Sequence, residues 1–307
     1  MKLVYLGTPA FAVPTLEAAV RAGHEVAAVV TQPDRPRGRG QNAAYPPVKE
    51  AALALGLPVY QPERVRRPEA VEYLRALGAE AMVVVGYGQI IPQNVIDLAP
   101  RGIINVHASL LPKYRGAGPI QWSLINGETR TGVTTMKIDA GLDTGDMLLK
   151  AETAIGPEEN AIELGKRLAV LGAELLVETL ARLDTIVPEK QDPAQATLAP
   201  LLKKEDGHLD WHQPAAAIHN RVRGLQPWPG VQTLFRGQPL LIWKSRVTQG
   251  SGAPGAVLST RPLVIAAGEG ALELVEVQME GRKRMPASDF ANGQRLTEND
   301  KLGEARS

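Results

Sequence analysis

Along the first half of the chain, short apolar runs alternate with stretches whose apolar positions recur every three to four residues. Lys2–Leu6 and Glu25–Thr31 read as buried strands, with a helix between them that begins near Pro9 and ends at Gly23. A helix over Val48–Leu55 stops at Gly56, a short strand follows at Pro58–Tyr60, and a helix over Glu69–Leu77 ends at Gly78. Ala81–Val85 is apolar throughout and breaks at Gly86-Tyr87-Gly88; Gly102–His107 is the next strand. This strand–helix–strand alternation predicts an α/β fold, a mostly parallel sheet with helices on both faces. Beyond a helix at Ile120–Asn126, strands Gly132–Ile138 and Met147–Ala154 flank a loop rich in Gly and Asp. The amphipathic stretch Glu158–Leu183 reads as a closing helix.

The pattern changes near Val187. Residues 188–205 hold prolines at 188, 193 and 200 without sustained periodicity, which reads as a linker. Short strands with turn signals come next: Gln232–Phe235, Pro239–Ser245, Gly255–Leu258, Leu263–Ala266 and Ala271–Gln278. One helix is expected near Pro214–Arg223. These predict a smaller all-β domain, a barrel or a sandwich. The expected organisation is thus an α/β domain over 1–187, a linker over 188–205 and a β domain over 206–307.

Composition narrows the function classes. The 307 residues are 44% apolar and 22% charged, with a net charge of +1, so a nucleic-acid partner would have to be held by local patches. There is no cysteine, which excludes disulfides and thiolate chemistry. The chain enters directly on a strand, without a basic-then-apolar leader, and no apolar run approaches the roughly 20 residues that span a bilayer. A cytoplasmic monomer without membrane contact is expected.

Candidate chemistry centres on residues 102–119. On a strand the side-chain period of two places Asn105 and His107 on one face at its C-terminal end, where Pro112 and two glycines forbid regular continuation. A neutral donor beside a titratable ring can stabilise an oxyanion and move a proton, as acyl-type transfer requires. The loop Asp139–Asp146, with three carboxylates and two glycines, is explained by turn chemistry alone unless Asp143 lies near His107, where it would favour the charged ring. His24, His208, His212 and His219 read as packed or surface residues. His208 and His212 flank Asp210 at a metal-like spacing, but without a third ligand motif no metal is expected. The segment 31–40 packs Arg35, Arg37 and Arg39 between Pro and Gly, either a solvated loop or a cationic clamp for phosphates. Gly7-Thr8-Pro9 lacks a dinucleotide fingerprint and no Walker loop is present, so hydride transfer and NTP hydrolysis find no support.

Asn105-Val106-His107, Ser109-Leu110-Leu111-Pro112, Arg115-Gly116 and the Asp139–Asp146 loop together resemble the formyltetrahydrofolate-dependent formyltransferases. Leu6–Pro9, Thr31–Pro36, Gly38-Arg39-Gly40 and Trp228-Pro229 are similar to the members that act on methionyl-tRNA. The resemblance implies a Rossmann-like catalytic domain, an OB-like C-terminal domain, 10-formyltetrahydrofolate as donor and initiator methionyl-tRNA as acceptor. It further implies Asn105, His107 and Asp143 as the catalytic set. Ser109, Leu110, Leu111, Pro112, Gly86, Tyr87, Gly88, Gln89, Ile90 and Asp139 would line the folate site, and Arg35, Arg37 and Arg39 would contact tRNA. Where the family often has Lys after Gly40, this chain has Gln41-Asn42-Ala43-Ala44. Two other readings remain: a formyl-transferring or formate-releasing enzyme without tRNA, and a folate- or RNA-binding protein without chemistry.

Overall fold

The structure, a computed structural model, describes residues 1–36 and 43–303. They gather into two compact units: residues 1–116, 130–153 and 165–199 form the first, and 117–129, 154–164 and 200–307 the second.

In the first unit a seven-stranded sheet forms from β1 (Lys2–Gly7), β2 (Glu25–Val30), β5 (Val59–Tyr60), β6 (Ala81–Val85), β7 (Ile103–His107), β8 (Arg130–Lys137) and β9 (Met147–Ala154). The spatial order is β5-β2-β1-β6-β7-β8-β9, parallel from β5 to β7, with β8 antiparallel to β7. Two short strands, β3 (Arg35–Pro36) and β4 (Ala43–Ala44), pair with each other and form the arms of the Arg-rich loop. The helices are α1 (Val13–Arg21), α2 (Pro47–Ala54), α3 (Pro68–Leu77), α4 (Gln93–Ile96) and α6 (Ala161–Ala181).

Continuously apolar strands need cover on both faces. Val71 and Leu74 of α3 and Val95 of α4 join Val4, Leu6, Met82 and Ile103 in one buried cluster. On the opposite face α6 approaches closely enough that a Cβ on Gly172 would lie 3.0 Å from Val106 Cγ1. Pattern and structure agree for the longer elements of this unit. The differences have local causes: α6 begins at Ala161 rather than Glu158 because Asn160 caps it. Asn160 Oδ1 accepts from the backbone of Ile162 and Glu163, and Glu163 Oε2 accepts from the backbone of Asn160.

Residues 188–199, though irregular, are tied to this unit. Glu189 exchanges two backbone hydrogen bonds with Met147, each of 2.8 Å, and Arg115 bonds Thr197 and Ala199 at 2.8 and 2.7 Å. Hydrophobic periodicity carries no trace of such single-strand pairings.

The second unit holds a six-stranded antiparallel sheet: β10 (Val231–Phe235), β11 (Gln238–Thr248), β14 (Ala271–Met279), β13 (Leu263–Ala266) and β12 (Val257–Thr260) in spatial order, with β15 (Met285–Pro286) beside β14. Leu302 bridges Phe235 and Lys301 bridges Ala256, so the C-terminal segment links the two edge strands, the closure that an OB-like barrel requires. Helices α5 (Pro119–Ile125), α7 (Ala215–Gly224) and α8 (Ala287–Gln294) complete this unit. Ile218, Val222, Leu240, Ile265, Leu274 and Phe290 share its core. Among the described residues no helix is long and apolar enough to cross a membrane.

Candidate active site

The sheet order itself marks a site. From β1 the chain first builds outward through β2 and β5, then crosses back to β6 on the other side. In open α/β sheets ligands settle outside the strand carboxyl ends at such a reversal. Here that point lies between β1 and β6. Gly86 takes a left-handed φ of 57° against Pro9, and a Cβ there would meet Pro9 Cγ at 2.9 Å. Thr8 Oγ1 and Gln32 Nε2 both donate to the Tyr87 carbonyl, at 3.0 and 3.1 Å. These loops and Tyr45–Pro47 wall a cleft of about 420 Å³, which Arg35 also borders. The size suits a medium organic ligand.

Val84 pairs with Asn105, so the Gly86 break lies about one strand spacing, 4.8 Å, from the level of His107. Asn105 and His107 are buried, on the face that Ile103 shares with α3 and α4. Among the described residues nothing hydrogen-bonds the Asn105 carboxamide, whose donors are thereby available. His107 Nε2 lies 2.9 Å from the Tyr114 carbonyl, which makes that nitrogen the donor. Its Nδ1 faces Asp143 Oδ2 at 3.7 Å, beyond hydrogen-bond length, leaving Nδ1 able to turn to a third atom between them. Both ring nitrogens thus face acceptors.

Asp143 sits on the β8–β9 loop with a left-handed φ of 50°, which L residues other than Asn and Asp seldom adopt. Its Oδ2 accepts from Gly116 N at 2.8 Å, so one carboxylate oxygen serves both the ring and a backbone amide. Gln191 Nε2 donates to the carbonyls of Asp143 and Gly145, both at 2.8 Å, and its Oε1 accepts from Arg115 Nε at 2.9 Å. Asp139 answers the turn reading instead: it is exposed, and its carboxylate accepts from Gly141 N and Thr144 Oγ1.

The remaining expected residues divide by what their side chains do. Ser109 Oγ donates to Lys113 O at 2.6 Å, and the Ser109 carbonyl accepts from Thr134 Oγ1 at 2.7 Å, closing the turn after β7. Leu111 is buried against Met136 and Met147, Leu110 is partly buried, and the Leu111–Pro112 peptide is cis. Gln89 is spent on the backbone of Val65 and Glu63. Gly86, Tyr87 and Gly88 line the cleft directly, whereas Ile90 is 89% exposed. The Tyr87 hydroxyl is buried without a partner, and burial pushes its pKa up, so it remains a protonated donor. Arg35 is exposed at the cleft; Arg37 and Arg39 lie outside the described residues. Among the described residues no three His, Asp or Glu side chains group as a metal site. Sequence reasoning passed over Gln191 and the Tyr114 carbonyl. Gln191 stands in an aperiodic stretch, and a backbone carbonyl has no residue-type signal.

A buried amide, an imidazole and a carboxylate thus lie at the carboxyl edge of a Rossmann-like sheet, beside its switch-point cleft. The formyl transferase family model matches residues 1–180 and its C-terminal domain matches 201–295. A methionyl-tRNA formyltransferase of Solibacter usitatus (strain Ellin6076) is 82% identical over 308 residues, covering 99% of each chain. One of Koribacter versatilis (strain Ellin345) is 58% identical over 312 residues, covering 100% of each. The chain belongs to the methionyl-tRNA formyltransferase family. Among solved structures, an N-formyltransferase from Helicobacter canadensis in complex with folinic acid and dTDP-3-aminofucose matches with a TM-score of 0.68. It is 18% identical and covers 93% of this chain and 100% of that one, a likeness of fold.

Proposed function

We propose that the chain transfers the formyl group of 10-formyltetrahydrofolate to the α-amino group of initiator methionyl-tRNA, giving N-formylmethionyl-tRNA for translation initiation. It works as a cytoplasmic monomer and without a metal. The observation that carries this reading is the convergence of Asn105, His107 and Asp143 at the carboxyl edge of the sheet, next to the switch-point cleft. The family's own name supplies the acceptor. In this reading residues 1–187 carry the chemistry, 206–307 form an OB-like tRNA-binding domain and 188–205 join them.

The folate would lie in the cleft against Gly86–Ile90, Asp139 and the Ser109–Pro112 turn, with the backbone providing most polar contacts, since Ser109, Gln89 and Asp139 use their side chains internally. The free α-amine, whose ordinary pKa of about 7.7–8.0 leaves a neutral fraction near pH 7, attacks the formyl carbon. A carbon–nitrogen bond forms and the carbonyl π pair moves onto oxygen. Asn105 donates to that oxyanion and the His107 imidazolium balances its charge. A preorganised donor of this kind contributes about 2.7–4 kcal/mol. Asp143 faces the ring and, through a water, draws the proton from the attacking amine. The intermediate then collapses: the bond from formyl carbon to N10 breaks, and N10 leaves with a proton delivered by His107 or the water. Arg35, Arg37 and Arg39 hold the phosphates of the acceptor end.

The test is formyl transfer from 10-formyltetrahydrofolate by purified protein to initiator methionyl-tRNA, elongator methionyl-tRNA and a small sugar amine, with free formate measured in parallel. Transfer confined to the initiator tRNA is the expected result. Formate release without transfer would assign a hydrolase, and folate binding without turnover a binding protein.

A further inference from the structure

We propose that Gln191 is a positioning residue for this reaction, acting through Asp143; the inference rests on the formyl-transfer reading above. The Gln191 side chain is 8% exposed and every hydrogen-bonding group of its amide that the geometry can use is engaged. The two N–H groups reach the carbonyls of Asp143 and Gly145, and the oxygen takes Arg115 Nε. The first carbonyl belongs to the residue that has a φ of 50° and a carboxylate facing His107, and the second lies two residues further along the same loop. Arg115, on the opposite side of the amide, precedes Gly116, whose N–H holds Asp143 Oδ2 at 2.8 Å. One glutamine therefore fixes the loop that carries the carboxylate and, through Arg115, the turn segment that supplies the carboxylate's own hydrogen-bond donor.

A buried amide of this kind could serve packing alone, and two features argue for more. The carbonyls it binds belong to the catalytic loop, and not to a helix or strand that would hold itself. The position it fixes is one the backbone does not favour: Asp143 must keep a left-handed conformation for Oδ2 to lie between Gly116 N and His107 Nδ1. Among the described residues no other donor reaches the Asp143 carbonyl. Without the two N–H donors the loop is free to relax while the sheet beneath it stands.

The experiment is a double-mutant cycle. Gln191→Met keeps the volume of the side chain and removes its hydrogen bonds. It is expected to lower kcat 10- to 100-fold, with KM for both substrates changed less than threefold. In an Asp143→Asn background, where the carboxylate is already lost, the same substitution should change kcat less than twofold. An equal fold-loss in both backgrounds, or no loss in the wild-type background, overturns the proposal. If the methionine variant does not fold, Gln191→Glu runs the same cycle: it preserves length and the acceptor for Arg115 but sets a carboxylate against two carbonyl oxygens. A crystal structure of the folded variant decides the matter apart from activity. The proposal expects Asp143 Oδ2 to leave Gly116 N by more than hydrogen-bond distance. An unmoved carboxylate refutes it, even if the wild-type chain proved to transfer no formyl group at all.

Discussion

Replacing Asn105 separates the chemistry from the fold more cleanly than any other substitution in the site. The side chain is 8% exposed, yet among the described residues no partner depends on it, so Asn105→Ala leaves no buried donor or acceptor orphaned. Truncation should cost about 1 kcal/mol of packing, a shift of about 2–4 °C in Tm for a domain of this size. The catalytic loss is larger: one oxyanion donor removed lowers kcat by about 10²–10³. Asn105→Asp goes further. A carboxylate in place of the amide sets like charge beside the oxyanion, and two unit charges about 4 Å apart repel by about 4 kcal/mol at an effective dielectric of 20. That is a further factor of about 10³. The expected order of kcat is wild type, then Asn105→Ala, then Asn105→Asp, with KM for folate donor and aminoacyl-tRNA within about threefold throughout. Steady-state formyl transfer, with melting curves for each variant, gives all the quantities. An aspartate variant as active as the alanine variant, or losses carried wholly by KM, would refute the assignment of Asn105 to the oxyanion.

Three further outcomes are expected. Burial lowers the His219 pKa from 6.5, while Ser245 and the Pro157 carbonyl take its ring nitrogens; since the unfolded chain binds the proton first, His219 contributes full stability above about pH 6.5 and loses it as pH falls below. Tm measured from pH 7.5 to 5 should therefore fall less in His219→Gln than in wild type, and parallel curves would remove His219 as the cause. Gly86→Ala places a Cβ against Pro9 at a φ of 57°, whereas Gly78→Ala meets a similar φ of 59° with nothing within 4 Å; each should lose about 1–2 kcal/mol of stability, but only the first should weaken folate binding by calorimetry, and equal affinities would move the folate out of this cleft. Finally, methionyl-tRNA affinity should drop steeply between 50 and 200 mM salt, and Arg35→Ala should lower the slope of log K against log salt by about 1; a flat salt response contradicts a phosphate clamp.

What could be read from the chain and what could not follows the reach of each signal. Apolar periodicity and Gly or Pro punctuation act within a few residues, so β6, β7 and α3 are legible, down to the left-handed Gly78 that ends α3. Asn105 and His107 are legible as a pair because two residues on one strand share a face whatever surrounds them. Asp143 is not legible from spacing alone: the loop holds three Asp, and only a resemblance or the fold separates Asp139, which builds the turn, from Asp143, which faces the ring. The short elements α4, β3, β4 and β15 escape because two to four residues cannot establish a period.

Gln191 marks where local reading stops. Its stretch is aperiodic and proline-flanked, the composition of a linker, and in backbone terms it is irregular. Irregular backbone still has to bond its polar groups, and here it does so by reaching across the sequence to Met147, Arg115 and the catalytic loop. A strand advertises its partners through the pleat, because every second side chain must be buried. A single glutamine spanning two loops has no such repeat, and its residue type is as common on surfaces as in networks. The geometry of the candidate site therefore rests on two kinds of information: a strand whose pattern places Asn105 and His107, and a non-repeating contact that reaches the Asp143 loop. The second kind is set by tertiary structure alone, so a substitution at 191 that looks harmless by composition should cost more activity than one at most positions of the same segment.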